Sequence, residues 1–268
     1  MREEKMKDRI HIFPTMELLL RKREQSEKQL EHLSVFPQLI RVDELMKKEY
    51  DQGNYMVQGE ALEKEAGRLA KILVHEQPQT RKILTFLIRE IMRNTPEHGK
   101  SRELWFCGQS NSLEGWVEIA CVDEGIGIFK SLTENPAHRK YIADGREALQ
   151  WAVKAGISAA FRPSAKQTSN DEWANSGFGL YMVSQICRKT GGSFQLLSGS
   201  SCLTIEKDSV LEDVDFWAGT GVSIRIPEAK VTDAQKLIYD TSLEGEKMAR
   251  EIRTAFKRAS KPSQGLRL

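Results

Sequence analysis

Three short stretches of this chain carry side chains whose types and spacing suit metal, amine and anion recognition. The first is Glu90-Ile91-Met92-Arg93-Asn94-Thr95-Pro96-Glu97-His98-Gly99. Glu90 and Asn94 are four residues apart, so a helix presents both on one face. An Asn oxygen is a neutral, hard ligand for magnesium, and a carboxylate beside it can accept a proton. His98 extends the same line if the helix runs on, although Pro96 removes an N–H and can kink it. The second stretch, Asp123-Glu124-Gly125-Ile126-Gly127-Ile128, closes an apolar run and enters a loop. A carboxylate at a strand end can accept a hydrogen bond from an exocyclic amine such as adenine N6. The glycines let the backbone turn tightly and come close to a ligand. The third, Ser176-Gly177-Phe178-Gly179-Leu180-Tyr181-Met182-Val183, passes from a polar loop into an apolar helix. Glycines at a helix N-terminus expose amides where the macrodipole favours phosphate. Singly, the three also read as a solvated helix face, an acidic turn and a loop-to-helix junction.

Together, and in this order, the stretches resemble the GHKL superfamily of ATPases (gyrase, heat-shock chaperone, histidine kinase, mismatch-repair ATPase). Glu90, Asn94 and His98 resemble its N box, Asp123 to Ile128 its first glycine box, and Gly177-Phe178-Gly179-Leu180 its second. Gly219-Thr220-Gly221-Val222-Ser223-Ile224, followed by Arg225-Ile226-Pro227, resembles the closing strand. The resemblance implies ATP and Mg²⁺ as ligands. It assigns Asn94 to the metal, Asp123 to the adenine amine, and Gly125, Gly127 and Ile128 to the adenine pocket. Ser176, Gly177, Phe178, Gly179 and Leu180 would wrap the phosphates, and Thr220 would support adenine recognition. In the hydrolysing branches the position of Glu90 carries the general base. One departure is Asn175, which stands where a further glycine is usual.

These residues need elements to hold them. Apolar positions Ile83, Leu84, Leu87, Ile88, Ile91 and Met92 predict a core helix over 79–95. Strand-like runs follow at Glu103–Cys107 and Trp116–Asp123, then a helix over 144–160 and a polar loop over 163–176. A helix from Phe178 to Lys189 stops at Gly191-Gly192. Strands are expected near Phe194–Leu197, Leu203–Glu206 and Val222–Ile226. Thr232 and Gln235 read as a capping box for a last helix, whose basic end frays into KPSQGLRL. This order predicts an α/β fold: a two-layer α/β sandwich, Bergerat-type in the light of the resemblance, with one mixed, mainly antiparallel sheet covered by helices. The division expected is a helical N-terminal extension over 1–77, the ATP-binding domain over 78–230, and a C-terminal helix and basic tail over 231–268. In the extension, Met16, Leu19 and Leu20 form one helical stripe and Leu62, Ala66, Leu69, Ala70 and Leu73 another, with breaks near Pro37 and Gly53 to Gly59. The long connection between Ile128 and Gly177 is of a kind that often acts as a lid, with Lys166 and Trp173 as its notable side chains.

Composition narrows the classes. With 268 residues, 40% hydrophobic and 29% charged, the chain is that of an ordinary globular protein with a real core. A net charge of +2 singles out neither nucleic acid nor an acidic substrate. The basic residues Lys247, Arg250, Arg253, Lys257, Arg258, Lys261 and Arg267 read first as a solvated helix and tail, which makes nucleic acid a weak expectation. Cys107, Cys121, Cys187 and Cys202 form no C-x-x-C pair and no zinc spacing, and read as buried thiols. No stretch is apolar for the roughly 20 residues of a membrane span, and no signal-peptide core is present, so the expected location is the cytoplasm. No P-loop or Rossmann fingerprint occurs. His75-Glu76-Gln77-Pro78 reads as a helix end, not a phosphoacceptor. The leading expectation is a lid-gated, Mg²⁺-dependent ATPase acting with an unidentified protein partner, a homodimer being one form of it. A protein kinase of the anti-sigma or histidine-kinase branch is the second reading, and a non-hydrolysing, ATP-gated interaction module the third.

Overall fold

The computed structural model describes residues 14–20, 34–45, 60–161 and 176–265. Five strands form one antiparallel sheet: β1 (Val35–Arg41), β2 (Glu103–Asn111), β3 (Trp116–Asp123), β4 (Ser193–Ile205) and β5 (Ser209–Pro227), in spatial order β1-β2-β3-β5-β4. The helices are α1 (Pro14–Leu20), α2 (Glu60–Leu73), α3 (Pro78–Asn94), α4 (Gly127–Thr133), α5 (Pro136–Arg139), α6 (Gly145–Ala152), α7 (Gly179–Lys189) and α8 (Ala234–Glu251). The architecture is a two-layer α/β sandwich. Among the described residues, no helix is long and apolar enough to cross a membrane.

α3 is the central helix. Pro78 starts it at a position where the missing N–H costs nothing. Its residues Ile83, Leu84, Leu87, Ile88 and Ile91 recur at helical spacing and are buried. It packs between α2 and α7, with α8 beside it. Past Asn94 the ladder widens into one π-type turn, Thr95–Gly99, that contains Pro96. Proline donates no N–H and breaks the regular pattern, and such local widening recurs at functional sites.

β3 is buried on both faces. Val117, Ile119 and Cys121 face the helical layer. Ala120 and Val122 face the opposite side, where α1 lays Met16 and Leu19 on Cys107, Leu197 and Cys202. Glu118 on that side is fully buried and accepts hydrogen bonds from the Thr15 hydroxyl at 2.5 Å and from Arg225 Nη2 at 2.5 Å. Both helical stripes expected in the N-terminal region form, as α1 and α2.

Four expectations need correction. Residues 35–41, near the expected break at Pro37, are strand β1, because Gln38 to Arg41 pair with Glu103 to Phe106 at the sheet edge. Among the described residues every strand pair is antiparallel, where a mixed sheet was expected. α8 is capped by Asp233, whose side chain accepts from the Lys236 amide at 2.9 Å, while Gln235 Nε2 donates to Gly265 O at 2.7 Å. The expected capping box of Thr232 and Gln235 is therefore not used. Finally, the chain after α8 does not fray before Gly265. It folds back, burying Ala255, Ala259 and Ser263.

Candidate functional site

A cleft opens between the C-terminal end of α3, the end of β3, the start of α4 and the Ile157–Ala159 segment. The space between its walls is about 630 Å³ when the open mouth and the solvent in it are included. Apolar walls come from Ile91, Leu104, Ile128, Leu132, Leu180 and Val222.

Asp123 supplies the charge in this cleft. It ends β3 and is only 6% exposed. Its Oδ1 accepts from the Gly125 amide at 2.8 Å and the Thr220 amide at 3.2 Å. No described residue donates to Oδ2. Burial pushes the acid up to about 6, and the Gly125 and Thr220 amides oppose that rise without cancelling it. Above that value the group is a desolvated carboxylate with an acceptor oxygen to spare.

The surrounding backbone makes this cage possible only with glycine. A Cβ on Gly125 would lie 2.1 Å from Gly99 O, and one on Gly219 would lie 2.0 Å from Asp123 O. Trp217 Nε1 donates to Asp123 O at 3.0 Å. The Ser198 hydroxyl links two sides, donating to Gly219 O at 2.7 Å and accepting from the Ile128 amide at 3.0 Å.

Asn94 also lines the cleft, and its Nδ2 is buried without a partner among the described residues. A buried amide N–H left unpaired is costly, so Nδ2 is suited to an acceptor oxygen of a ligand, and only Oδ1 could face a cation. Asn94 Oδ1 lies 3.4 Å and Glu90 Oε2 3.1 Å from the place a Cβ on Gly179 would occupy. The three residues thus meet where α3 and α7 touch. Among the described residues, no group of three or more His, Cys, Asp or Glu side chains could hold a metal ion. A magnesium ion there would depend on Asn94, waters and a phosphate.

Glu90 is a different kind of carboxylate. It is 0% exposed. Arg89 Nη2 lies 2.9 Å from Oε1 and Arg93 Nη2 lies 3.0 Å from Oε2. The Ser263 hydroxyl approaches Oε2 at 3.4 Å. Burial pushes its pKa up, but Arg93 and Arg89 outweigh that and hold the group below the usual carboxylate range. Glu90 does not line the cleft, and in this conformation it has no open approach for water.

Of the residues singled out in the sequence, Asn94, Asp123, Gly127, Ile128, Leu180 and Thr220 line one cleft. Gly125 shapes it from behind. Of the expected phosphate-wrapping residues only Leu180 is on its wall; Ser176, Gly177, Phe178 and Gly179 sit beside it. Ser176 is buried, its hydroxyl accepting from the Ser260 amide at 3.0 Å. Gly177 adopts a φ of 70° against Ile157 O, and Phe178 is fully buried edge-on to Tyr181. Gly179 begins α7. Lys166, Trp173, Asn175 and the His98 side chain lie outside the described residues. Sequence reasoning missed Thr95, Ser131 and Ile157 to Ala159 on the wall, and Ser198 and Trp217 behind it. Ser198 and Trp217 belong to no motif, and only the β4–β5 register brings them to Asp123.

The chain matches no protein-family model and no curated protein.

Proposed function

We propose that the cleft binds ATP together with Mg²⁺, as a GHKL-type nucleotide-binding domain. The observation that carries this reading is Asp123: a buried carboxylate at the floor of an apolar cleft, one oxygen filled by two backbone amides and the other without a described donor. That oxygen suits the 6-amino group of adenine, and the apolar walls suit the ring's faces. The order of the motifs supports the same assignment. Asn94 would hold the metal, which supplies neutralisation of phosphate charge when bound. The N-terminus of α7, with Gly179 at its first turn, would face the phosphates.

Hydrolysis assigns Glu90 as the group that takes a proton from the attacking water. Its burial and pairing with Arg89 and Arg93 favour a second reading in this conformation: a gated module that holds ATP without turning it over. Mixing the protein with [γ-³²P]ATP and Mg²⁺, alone and with proteins that co-purify with it, separates the outcomes. Free phosphate supports the ATPase, and intact bound ATP supports the gated module. A labelled partner would instead identify a kinase. Absence of any nucleotide binding by calorimetry would overturn the whole proposal.

A further inference from the structure

The segment that follows α8 makes a set of contacts that the nucleotide reading does not require. After Glu251 the chain turns back across the molecule. The Phe256 amide donates to Gly156 O at 2.8 Å, and the Phe256 ring meets Phe161 edge-on at 5.4 Å between centroids. The Ser260 amide donates to the Ser176 hydroxyl at 3.0 Å. The Ser263 hydroxyl reaches Glu90, and Gly265 O is tied back to Gln235 on α8. One strand of chain therefore touches the segment that lines the cleft, the entrance of α7 and the proposed general base.

We propose that residues 252–265 form an autoinhibitory strap. Seated, it seals Glu90 from solvent; lifted, it lets water reach the carboxylate. This rests on the hydrolytic reading given above and says how that activity is controlled. In the lifted state a water oxygen bonds to the γ-phosphorus, the water's proton passes to Glu90, and the bond from the γ-phosphorus to the β,γ-bridging oxygen breaks to release the diphosphate.

The strap is built to move. Its buried side chains are small, Thr254, Ala255, Ala259, Ser260 and Ser263, and its two large apolar ones are only half-buried, Ile252 against the core and Phe256 against Phe161. Small side chains bury little apolar area, and the strap otherwise depends on hydrogen bonds, among them Ala259 N and Gln264 Nε2 to Glu246 Oε1 at 3.0 and 3.3 Å and Lys257 Nζ to Ala249 O at 2.7 Å. A segment with few large apolar contacts opens locally at far lower cost than the core. By contrast, Glu90 is held from α3 itself by Arg89 and Arg93, so lifting the strap leaves the carboxylate in place.

The test uses the full chain. Ser176→Cys combined with Ser260→Cys places two thiols where a side chain already meets the strap backbone. The native cysteines are buried, and burial pushes their thiols up, which keeps them out of the exchange. The oxidised, cross-linked protein should hydrolyse ATP at least tenfold more slowly than the same protein after reduction. In a second variant, Ala259→Glu puts a charge under the strap and should raise turnover at least threefold over the unsubstituted protein. ATP binding is measured by calorimetry on every sample. Equal rates for the cross-linked and reduced forms would overturn the strap, and so would a folded Ala259→Glu protein that binds ATP but hydrolyses it no faster. If the cross-link fails to form, the Ala259→Glu result decides alone. A failure of every sample to bind ATP would instead overturn the nucleotide reading.

Discussion

The Thr220 amide donates to Asp123 Oδ1 at 3.2 Å across the β3–β5 junction, so the closing strand and the first glycine box share one carboxylate. The Gly125 amide fills the same oxygen from the other side. These two bonds fix the carboxylate plane and leave Oδ2 as the recognition atom. Everything proposed for the adenine end follows from that arrangement.

Asp123 also sets a pH dependence with two opposite signs. Its folded-state value, about 6, lies above the ordinary 3.8. The folded protein therefore binds this proton more tightly than the unfolded chain. Asp123's contribution to ligand-free stability is present at acid pH and lost as pH rises through about 6, on the order of 2–3 kcal/mol across the window. Nucleotide binding runs the other way, since a protonated Oδ2 no longer accepts from an amine. The rise in melting temperature given by saturating ATP should be large at pH 7.5 and small at pH 5. The same shift at both pH values would remove Asp123 from recognition.

Glu90 gives different phenotypes for two substitutions. Glu90→Ala removes the carboxylate that the buried Arg89 and Arg93 share, while Arg89 Nη1 keeps Glu63 Oε2 at 3.7 Å, and should lower stability by up to about 3–5 kcal/mol. Glu90→Gln keeps the shape and one acceptor. It should fold, bind Mg·ATP within a few fold of the unsubstituted protein, and lose hydrolysis by about 10²–10⁴. Steady-state hydrolysis beside calorimetric affinity checks the pair; undiminished hydrolysis by Glu90→Gln would rule it out as the base.

Asn94→Ala should act on binding. Removing the carboxamide takes away the protein's oxygen for the metal, so affinity in Mg²⁺ should fall about tenfold or more while affinity in EDTA changes little. Titrations in the two buffers measure this, and equal losses in both would assign Asn94 to the nucleotide and not to the metal.

Gly125→Ala tests the cage itself. Its Cβ would sit 2.1 Å from Gly99 O, so one backbone segment must shift. Overpacking of this kind costs about 1–3 kcal/mol, and here it also displaces the amide that holds Asp123 Oδ1. A lowered melting midpoint together with lost ATP binding is expected. An unchanged midpoint would show that the turn relaxes freely.

The site was partly legible in the sequence because its polar residues stand at the ends of strongly periodic elements. Ile83, Leu87 and Ile91 mark α3, so Glu90 and Asn94 had to lie on one helix. The apolar run to Asp123 marks β3, so Asp123 had to end a strand. Other features carry no local signal. β1 contains Pro37 and gains its character only by pairing with β2. The Ser209–Phe216 half of β5 is acidic and largely exposed, and its partner strand alone makes it a strand. Nothing in Arg89 or Arg93 says that Glu90 turns inward, because both faces of α3 meet protein near its end. The strap has only Ile252 and Phe256 as large apolar residues, too few to print an apolar pattern, and its course was set by Gly156, Ser176 and Glu90, all distant in the chain.

The central claim is that Asp123 reads the adenine amine. The measurement that tests it most directly is calorimetric affinity of the full chain for ATP and for inosine triphosphate at pH 7.5. The two nucleotides differ at the 6-position, where an amino donor becomes an oxygen acceptor, and at the adjoining N1, which gains a hydrogen. A buried carboxylate with a free oxygen should favour ATP by at least tenfold, about 1.4 kcal/mol or more, and Asp123→Asn should lose most of that preference while remaining folded. Equal affinity for the two nucleotides in the unsubstituted protein, or binding of neither, would contradict the account.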